Sequence, residues 1–351
     1  MLNKRPPRNG QKNKLETHQH LLLVDGSSLF KRSLLGAKDE YNDKGEHIGG
    51  IYQFLTVLRK LLLDDLYHKV FVFWDGTLSG KLRYEIYKNY KISRGKDFIN
   101  GTSSQDESEV YQRYRIKQYL EELFIRQLED EIVEADDFIA YICNNKSIGD
   151  KLTIVTSDRD YCQLVDDDIR IYMCDLKKYI TKDNFNENFK YHYENASLIK
   201  VLCGDNSDSI KGVKRLGEDT LIQHFPEVTE RKVTIEEVIN KSKLLQNERI
   251  NNKKKPLQIL DNISNGVTDG IQGDKLFEIN DRLVNLKKPL MTEEAIEMVN
   301  NLITLPIDPE GRDIKNVYKY IKKDGFGNKI INNFEDYFLP FKKLINRENK
   351  L

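Results

Sequence analysis

The chain has 351 residues, with Lys+Arg and Asp+Glu both at 56 and a formal net charge of +0, so overall charge selects no partner. That length exceeds the roughly 250–300 residues at which single cores stop growing, and a core with an appended region is expected. Cys143, Cys162, Cys174 and Cys203 form no CxxC pair, and no apolar run reaches the roughly 18–20 residues of a membrane span, which argues against a zinc site, a disulfide framework and a membrane protein. With no apolar signal at the start, the expectation is a cytoplasmic protein with reduced thiols.

Residues 1–20 carry Lys4, Arg5, Arg8, Lys12 and Lys14 against Glu16, with Pro6 and Pro7, and read as a flexible basic arm. Leu21–Val24 is a continuous apolar run ending in Asp25-Gly26-Ser27-Ser28, the pattern of a buried parallel strand entering a helix. Phe54, Leu55, Leu58, Leu61 and Leu62 follow a helical period, and Val70–Trp74 then runs into Asp75-Gly76. Ser79 to Lys96 is predicted as a basic helix bearing Lys81, Arg83, Lys88, Lys91, Arg94 and Lys96 against Glu85, with Tyr84, Tyr87 and Tyr90 interleaved. Such a stretch suits a strand held by its phosphates with a base on a ring, and equally an amphipathic helix packing its tyrosines on a sheet.

Residues 97–109 read as a loop, and Leu120, Leu123 and Leu128 as a helical face. The strand-like Glu131-Ile132-Val133 leads into Glu134-Ala135-Asp136-Asp137, which opens a helix with Phe138, Ile139 and Ile142 on its apolar side. Leu152–Thr156 is a further strand, ending in Ser157-Asp158-Arg159-Asp160. Strands alternating with helices predict an α/β, doubly wound, mainly parallel sheet over residues 21–192, with ligands beyond the carboxyl ends of the strands. From 193 to 351 helical patterns dominate, broken by an Asn/Lys-rich stretch at Asn251–Pro256 and a Gly/Asp-rich one at 262–274. Gly212-Val213-Lys214-Arg215-Leu216-Gly217 is either a turn offering backbone N–H groups to a phosphate, through Gly212, Val213 and Gly217, or an ordinary corner between helices.

Acids recur where strands end: Asp25, Asp75, Asp158 and Asp160, joined by Glu134, Asp136 and Asp137 in one helical turn and by Asp205 and Asp208 in Cys203-Gly204-Asp205-Asn206-Ser207-Asp208. Helix capping accounts for Asp136, Asp137, Asp158 or Asp160 taken singly, but not for the recurrence at three strand ends. Two carboxylates about 6 Å apart repel by roughly 3 kcal/mol at an effective dielectric near 20, and no matching set of lysines is evident beside them in sequence. Divalent cations would relieve that repulsion. Hard oxygen ligands favour Mg²⁺ or Mn²⁺, and a pair of such ions suits in-line phosphoryl displacement, so phosphodiester hydrolysis is the expected reaction. Two other classes stay open: a non-catalytic binder of branched nucleic acids, and a phosphatase of small molecules, against which Asp25 lacks a following Asp-x-Thr/Val.

The combination Glu134-Ala135-Asp136-Asp137, Ser157-Asp158-Arg159-Asp160 and Gly204-Asp205-Asn206-Ser207-Asp208, with Val24-Asp25-Gly26, Trp74-Asp75-Gly76 and the Arg83 to Lys96 stretch, resembles the flap endonuclease and 5′-3′ exonuclease family, including its phage ribonuclease H branch. The resemblance spans residues 21–225. It implies a PIN-like nuclease domain and a helical domain with a duplex-binding helix-three-turn-helix at 204–224. It further implies two Mg²⁺ ions, replaceable by Mn²⁺, among Asp25, Asp75, Glu134, Asp136, Asp137, Asp158, Asp160, Asp205 and Asp208, with Lys91, Arg94 and Arg83 at the scissile phosphate and Tyr90 against the substrate. By the same resemblance a monomer would cut branched or nicked DNA and RNA·DNA, removing primers in phage lagging-strand replication beside a single-stranded-DNA-binding protein and a sliding clamp. Where relatives carry a second glycine in the duplex-binding turn, this chain has Lys214-Arg215, which puts a monovalent-ion site there in doubt.

Overall fold

A computed structural model describes residues 18–95, 98, 106–326 and 328–348; the predicted basic arm lies almost wholly outside these, as do Lys96 and the middle of the predicted 97–109 loop. Alternating burial builds the sheet. In β1 (His20–Asp25), Leu21 and Leu23 enter one apolar core while Leu22 and Val24 enter another on the opposite face, so a continuous apolar run marks a strand covered on both sides. β2 (Lys69–Asp75) repeats the pattern with Phe71 and Phe73 on one side and Val70, Val72 and Trp74 on the other. With β3 (Arg126–Asp130), β4 (Lys151–Thr156), β5 (Ile169–Met173) and β6 (Lys178–Ile180) they form a 6-stranded sheet in the order β3-β2-β1-β4-β5-β6. All pairings are parallel except β5 with β6.

The order reverses direction between β1 and β4, and such a switch point opens a crevice at the strands' carboxyl ends. Asp25 closes β1 there, and Ser157 and Asp158 follow β4 directly. On one face lie α1 (Gly26–Gly36), α2 (Gly49–Asp64) and α4 (Glu107–Glu122); α3 (Lys81–Ile86) and α5 (Ala135–Asn144) belong to the other. Gly26 is required at the start of α1, because a Cβ there would stand 2.8 Å from the Phe73 carbonyl oxygen.

Beyond β6 the chain is helical apart from a two-stranded ladder: α6 (Ala196–Cys203), β7 (Gly204–Asp205), β8 (Ile210–Lys211), α7 (Glu218–His224), α8 (Ile235–Asn251), α9 (Gln258–Ser264), α10 (Asp274–Val284), α11 (Glu293–Thr304), α12 (Ile314–Asp324), α13 (Asn328–Ile331) and α14 (Phe334–Glu348). Residues of α6 through α11 extend the core on the α5 face, whereas α12 to α14 return to the α2/α4 face. Two buried ion pairs fix that return. Asp324 accepts hydrogen bonds from Tyr111 (2.8 Å) and Tyr119 (2.7 Å) and pairs with Arg115 at 3.0 Å, while Glu348 pairs with Arg126 at the first residue of β3.

Three local expectations change. The basic stretch is not one helix, since α3 stops at Ile86 and Lys91 takes a left-handed φ of 53° before a short 3-10 turn over Ile92–Arg94. Glu131-Ile132-Val133 is no strand: β3 precedes it, and the Asp130 side chain accepts the Ile132 and Val133 N–H groups. Leu128 therefore sits in β3 rather than on the helical face of Leu120.

Candidate active site

The crevice is assembled from strand ends inward. Asp25 caps α1 by accepting the Ser28 N–H (2.9 Å), and its other oxygen accepts the hydroxyls of Thr156 (3.1 Å) and Tyr161 (3.4 Å). Burial, reinforced by the charges of Asp75 and Asp158, pushes Asp25 up to about 7. Asp75 is held at three points: its N–H donates to Ser27 Oγ (3.0 Å), one carboxylate oxygen accepts the Ala135 N–H (3.0 Å), and its carbonyl accepts Arg113 Nη2 (2.6 Å). Asp158 caps the 3-10 turn Arg159–Leu164 by accepting the Asp160 N–H. Burial, then the charges of Glu134 and Asp158, raise Asp136 well above the carboxylate range.

A second group is already neutralised by cations. Glu134 is buried among Arg83 Nη1 (2.7 Å), the Tyr90 hydroxyl (3.0 Å) and Lys91 Nζ. Burial would raise it, but Lys91 and Arg83 outweigh burial and hold it at about 2. Asp208 pairs with Arg94 at 2.5 Å, and Lys200 spans Asp160 (2.5 Å) and Asp205. Burial and Asp158 lift Asp160 to about 6 despite Lys200, whereas at Asp205 the ammonium overcomes burial and brings the group to about 2. The 91–94 segment lies on the β7–β8 hairpin, with the Lys91 N–H on Asp208 O (2.8 Å) and Arg94 Nε on Ser207 O (3.1 Å). Distant parts of the chain thus close one site.

The expectation that lysines are lacking beside the acids is therefore corrected: Lys91, Arg94, Arg83 and Lys200 supply them from other elements. Lys200 escaped the sequence reading, although a lone lysine in the otherwise apolar helix Ala196–Cys203 was a signal for it. Asp25, Asp75, Asp136 and Asp158 form no ion pair among the described residues; Asp75 and Asp158 act against the charge on Asp25, and Glu134 and Asp158 against that on Asp136, which Lys91 and Arg83 partly offset. Among the described residues no group of three carboxylates, imidazoles or thiols is close enough to hold one ion as it stands. The chemistry of the four unpaired acids nevertheless fits a divalent cation, because hard carboxylate oxygens are the donors such an ion takes and its charge would favour the ionised forms of Asp25 and Asp136.

The geometry engages several of the expected residues elsewhere. Asp137 has both oxygens engaged, by Arg83 at 2.5 and 2.9 Å and by the Leu290 N–H at 2.9 Å. Arg83, only 4% exposed, ties Glu134 and Asp137 to the Leu283 carbonyl (2.8 Å) and cannot meet a phosphate from there. Tyr90 is 3% exposed, stacks on Phe98 and donates to Glu134, so its face is closed to a base. In the 212–217 turn the Val213 N–H is spent on Leu202 O (2.7 Å), and Gly212 presses on the Cys203 backbone, where a Cβ would come within 2.1 Å. Gly217 alone faces open space, at the start of α7.

Residues 20–190 match the family described as 5′-3′ exonuclease, N-terminal resolvase-like domain. Residues 20–190 thus carry the similarity to 5′-3′ exonucleases that the motifs implied. Among curated proteins, the chain is 31% identical over 213 residues to the thermostable DNA polymerase I of Thermus caldophilus, covering 60% of this chain and 24% of that one. It is 27% identical over 202 residues to the 5′-3′ exonuclease of Mycoplasmopsis pulmonis, covering 57% and 64%. The chain thus spans about a quarter of the polymerase relatives. The fold is shared with a bacteriophage T5 flap endonuclease solved as a pseudo-enzyme-product complex with DNA and metal ions, with a TM-score of 0.57, 17% identity, and coverage of 88% of this chain and 100% of that one.

Proposed function

We propose that this chain is a divalent-metal-dependent 5′ nuclease of the 5′-3′ exonuclease and flap endonuclease kind that hydrolyses phosphodiesters near the 5′ ends of branched or nicked DNA and RNA·DNA, as in primer removal during replication. The observation that carries this reading is the set of unpaired, mutually repelling carboxylates Asp25, Asp75, Asp136 and Asp158 at the sheet's switch point, rimmed by Lys91 and Arg94. Solved relatives bear on it: one is a T5 5′-exonuclease described with divalent zinc, another the T5 complex with DNA and metal ions.

In this proposal Asp25, Asp75, Asp136 and Asp158 would hold divalent cations, which when bound would supply Lewis-acid activation of water and neutralise charge. Asp160, Asp205 and Asp208 are the second set, and an ion there would exchange with Lys200 and Arg94 as their positive partner. Lys91 and the half-exposed Arg94 stabilise negative charge on the phosphoryl oxygens. Thr156 and Ser27 orient the acids through the strand ends. Arg83 and Asp137 keep α3 and α5 in place and touch no reacting atom. Residues 21–192 would carry the chemistry and 193–351 would hold the duplex, with clamp and single-strand-binding proteins as candidate partners.

A 5′-labelled flap substrate should yield short products in Mg²⁺ and none in EDTA; ample cutting in EDTA would remove the metal assignment. Asp158→Asn should keep substrate binding while losing cleavage. Lys91→Ala should lower turnover more than affinity, and an unchanged turnover would reject its role.

A further inference from the structure

The turn between α8 and α9 is a part of the chain that the crevice does not use. From Arg249 to Leu260 the sequence RINNKKKPLQIL contains no acid, in a molecule whose charges balance overall. Lys253, Lys254 and Lys255 are all exposed and form no ion pair among the described residues. Their backbone is nonetheless fixed. Lys253 adopts φ 53°, its N–H donates to Ile250 O (2.9 Å), and the Lys254 N–H donates to Arg249 O (2.8 Å). Arg249 folds back to donate from Nε and Nη2 to Lys255 O (3.1 and 2.9 Å), and the buried Gln246 side chain bonds both the N–H and the carbonyl of Leu257 (3.0 and 3.3 Å). Three free ammonium groups thus stand on a pre-ordered turn, so little backbone entropy is lost when they are engaged.

The position of this turn relative to the crevice gives it meaning. Asp205 and Asp208 sit on the β7–β8 hairpin, which leads into the turn with exposed Lys211, Arg215 and Lys214, the last paired with Asp269 at 2.9 Å. That turn is bolted to the far end of α9: the Lys214 N–H donates to Val267 O (2.8 Å) and Asn262 Nδ2 donates to Lys214 O (3.0 Å). The near end of α9 begins just after Lys255, and its 7 residues span roughly 10 Å at 1.5 Å per residue. The two cationic turns are therefore joined through α9. We propose that Lys253, Lys254 and Lys255 form an outer phosphate grip on the double-stranded part of the substrate, extending the grip begun at Lys211 to Arg215. This rests on the 5′-nuclease reading of the crevice and adds a substrate-binding surface to it.

The test uses the full chain and a fluorescent duplex bearing a 5′ flap, bound in EDTA at several salt concentrations. Removing one lysine–phosphate pairing should flatten the log–log salt dependence by about 0.9, so the variant with Lys253→Gln, Lys254→Gln and Lys255→Gln should bind more weakly with a slope shallower by about 2–3. Arginine at all three positions should restore both. Turnover at saturating substrate and binding of the flap oligonucleotide alone should stay at wild-type values. An unchanged slope and affinity in the glutamine variant, or an equal weakening on the single strand, would overturn the proposal. A wild-type chain that neither binds nor cuts the flap duplex would instead overturn the nuclease reading itself.

Discussion

Lys200 sits where an ammonium is least expected, in an apolar helix and between two carboxylates, and it keeps its proton because Asp160 and Asp205 outweigh the burial that would remove it. Lys200→Ala should cost about 3 kcal/mol in EDTA, since it strands two acids in a low-dielectric crevice. In millimolar Mg²⁺ the urea-unfolding penalty should shrink as the cation takes the vacated position; an equal penalty in both conditions would place the ion elsewhere. His20 presents the opposite balance. Burial brings it down from 6.5 to about 4 although Asp65 pulls upward. Between those values the unfolded chain binds a proton that the folded chain refuses, so stability rises with pH across the window and is lost as pH falls from 6.5 toward 4. The urea midpoint should therefore drop less between about pH 7 and about pH 5 in His20→Gln than in the wild type.

At the level of elements, α4 acts on the crevice from behind. Arg113 holds the Asp75 carbonyl and Glu129 (2.7 Å), with its guanidinium 5.4 Å from the Trp74 ring, so the end of β2 is clamped to α4. Arg113→Ala should raise the Mg²⁺ concentration needed for half-maximal cleavage by about tenfold, and Arg113→Lys should recover part of it. A Mg²⁺ requirement unchanged by the alanine substitution would show that Asp75 is positioned without it.

The strands ending in Asp25, Asp75 and Thr156 were legible because burial on both faces demands continuous apolar runs. β3 was not. As an edge strand of sequence RQLED it is largely polar, and its signal was assigned to the next residues. The break after Ile86 was equally hidden, because the segment beyond it docks through Lys91 on Asp208, a partner more than a hundred residues away. Acids at the crevice could be read from recurrence at strand ends, whereas the separation of paired from unpaired acids depended on cations that other elements bring in.

For the molecule as a whole, α12 to α14 complete the core that α2 and α4 begin. A helical pattern over 193–351 was visible in sequence, but such a pattern does not say which surface it will cover. Asp324 is the anchor, with Arg115, Tyr111 and Tyr119 converging on its buried carboxylate. Asp324→Ala should destabilise the chain by about 3–5 kcal/mol, read from urea unfolding, because Arg115 would be left buried without its counter-ion. A cost near zero would mean that these helices pack independently of the anchor.

Glu348 ends at the first residue of β3, and His20 begins β1, so both ends of the described chain emerge at the amino edge of a parallel sheet. The acids occupy the opposite edge. A bulky label carried at the exposed His18 would consequently sit behind that amino edge and leave the acids turned toward solution.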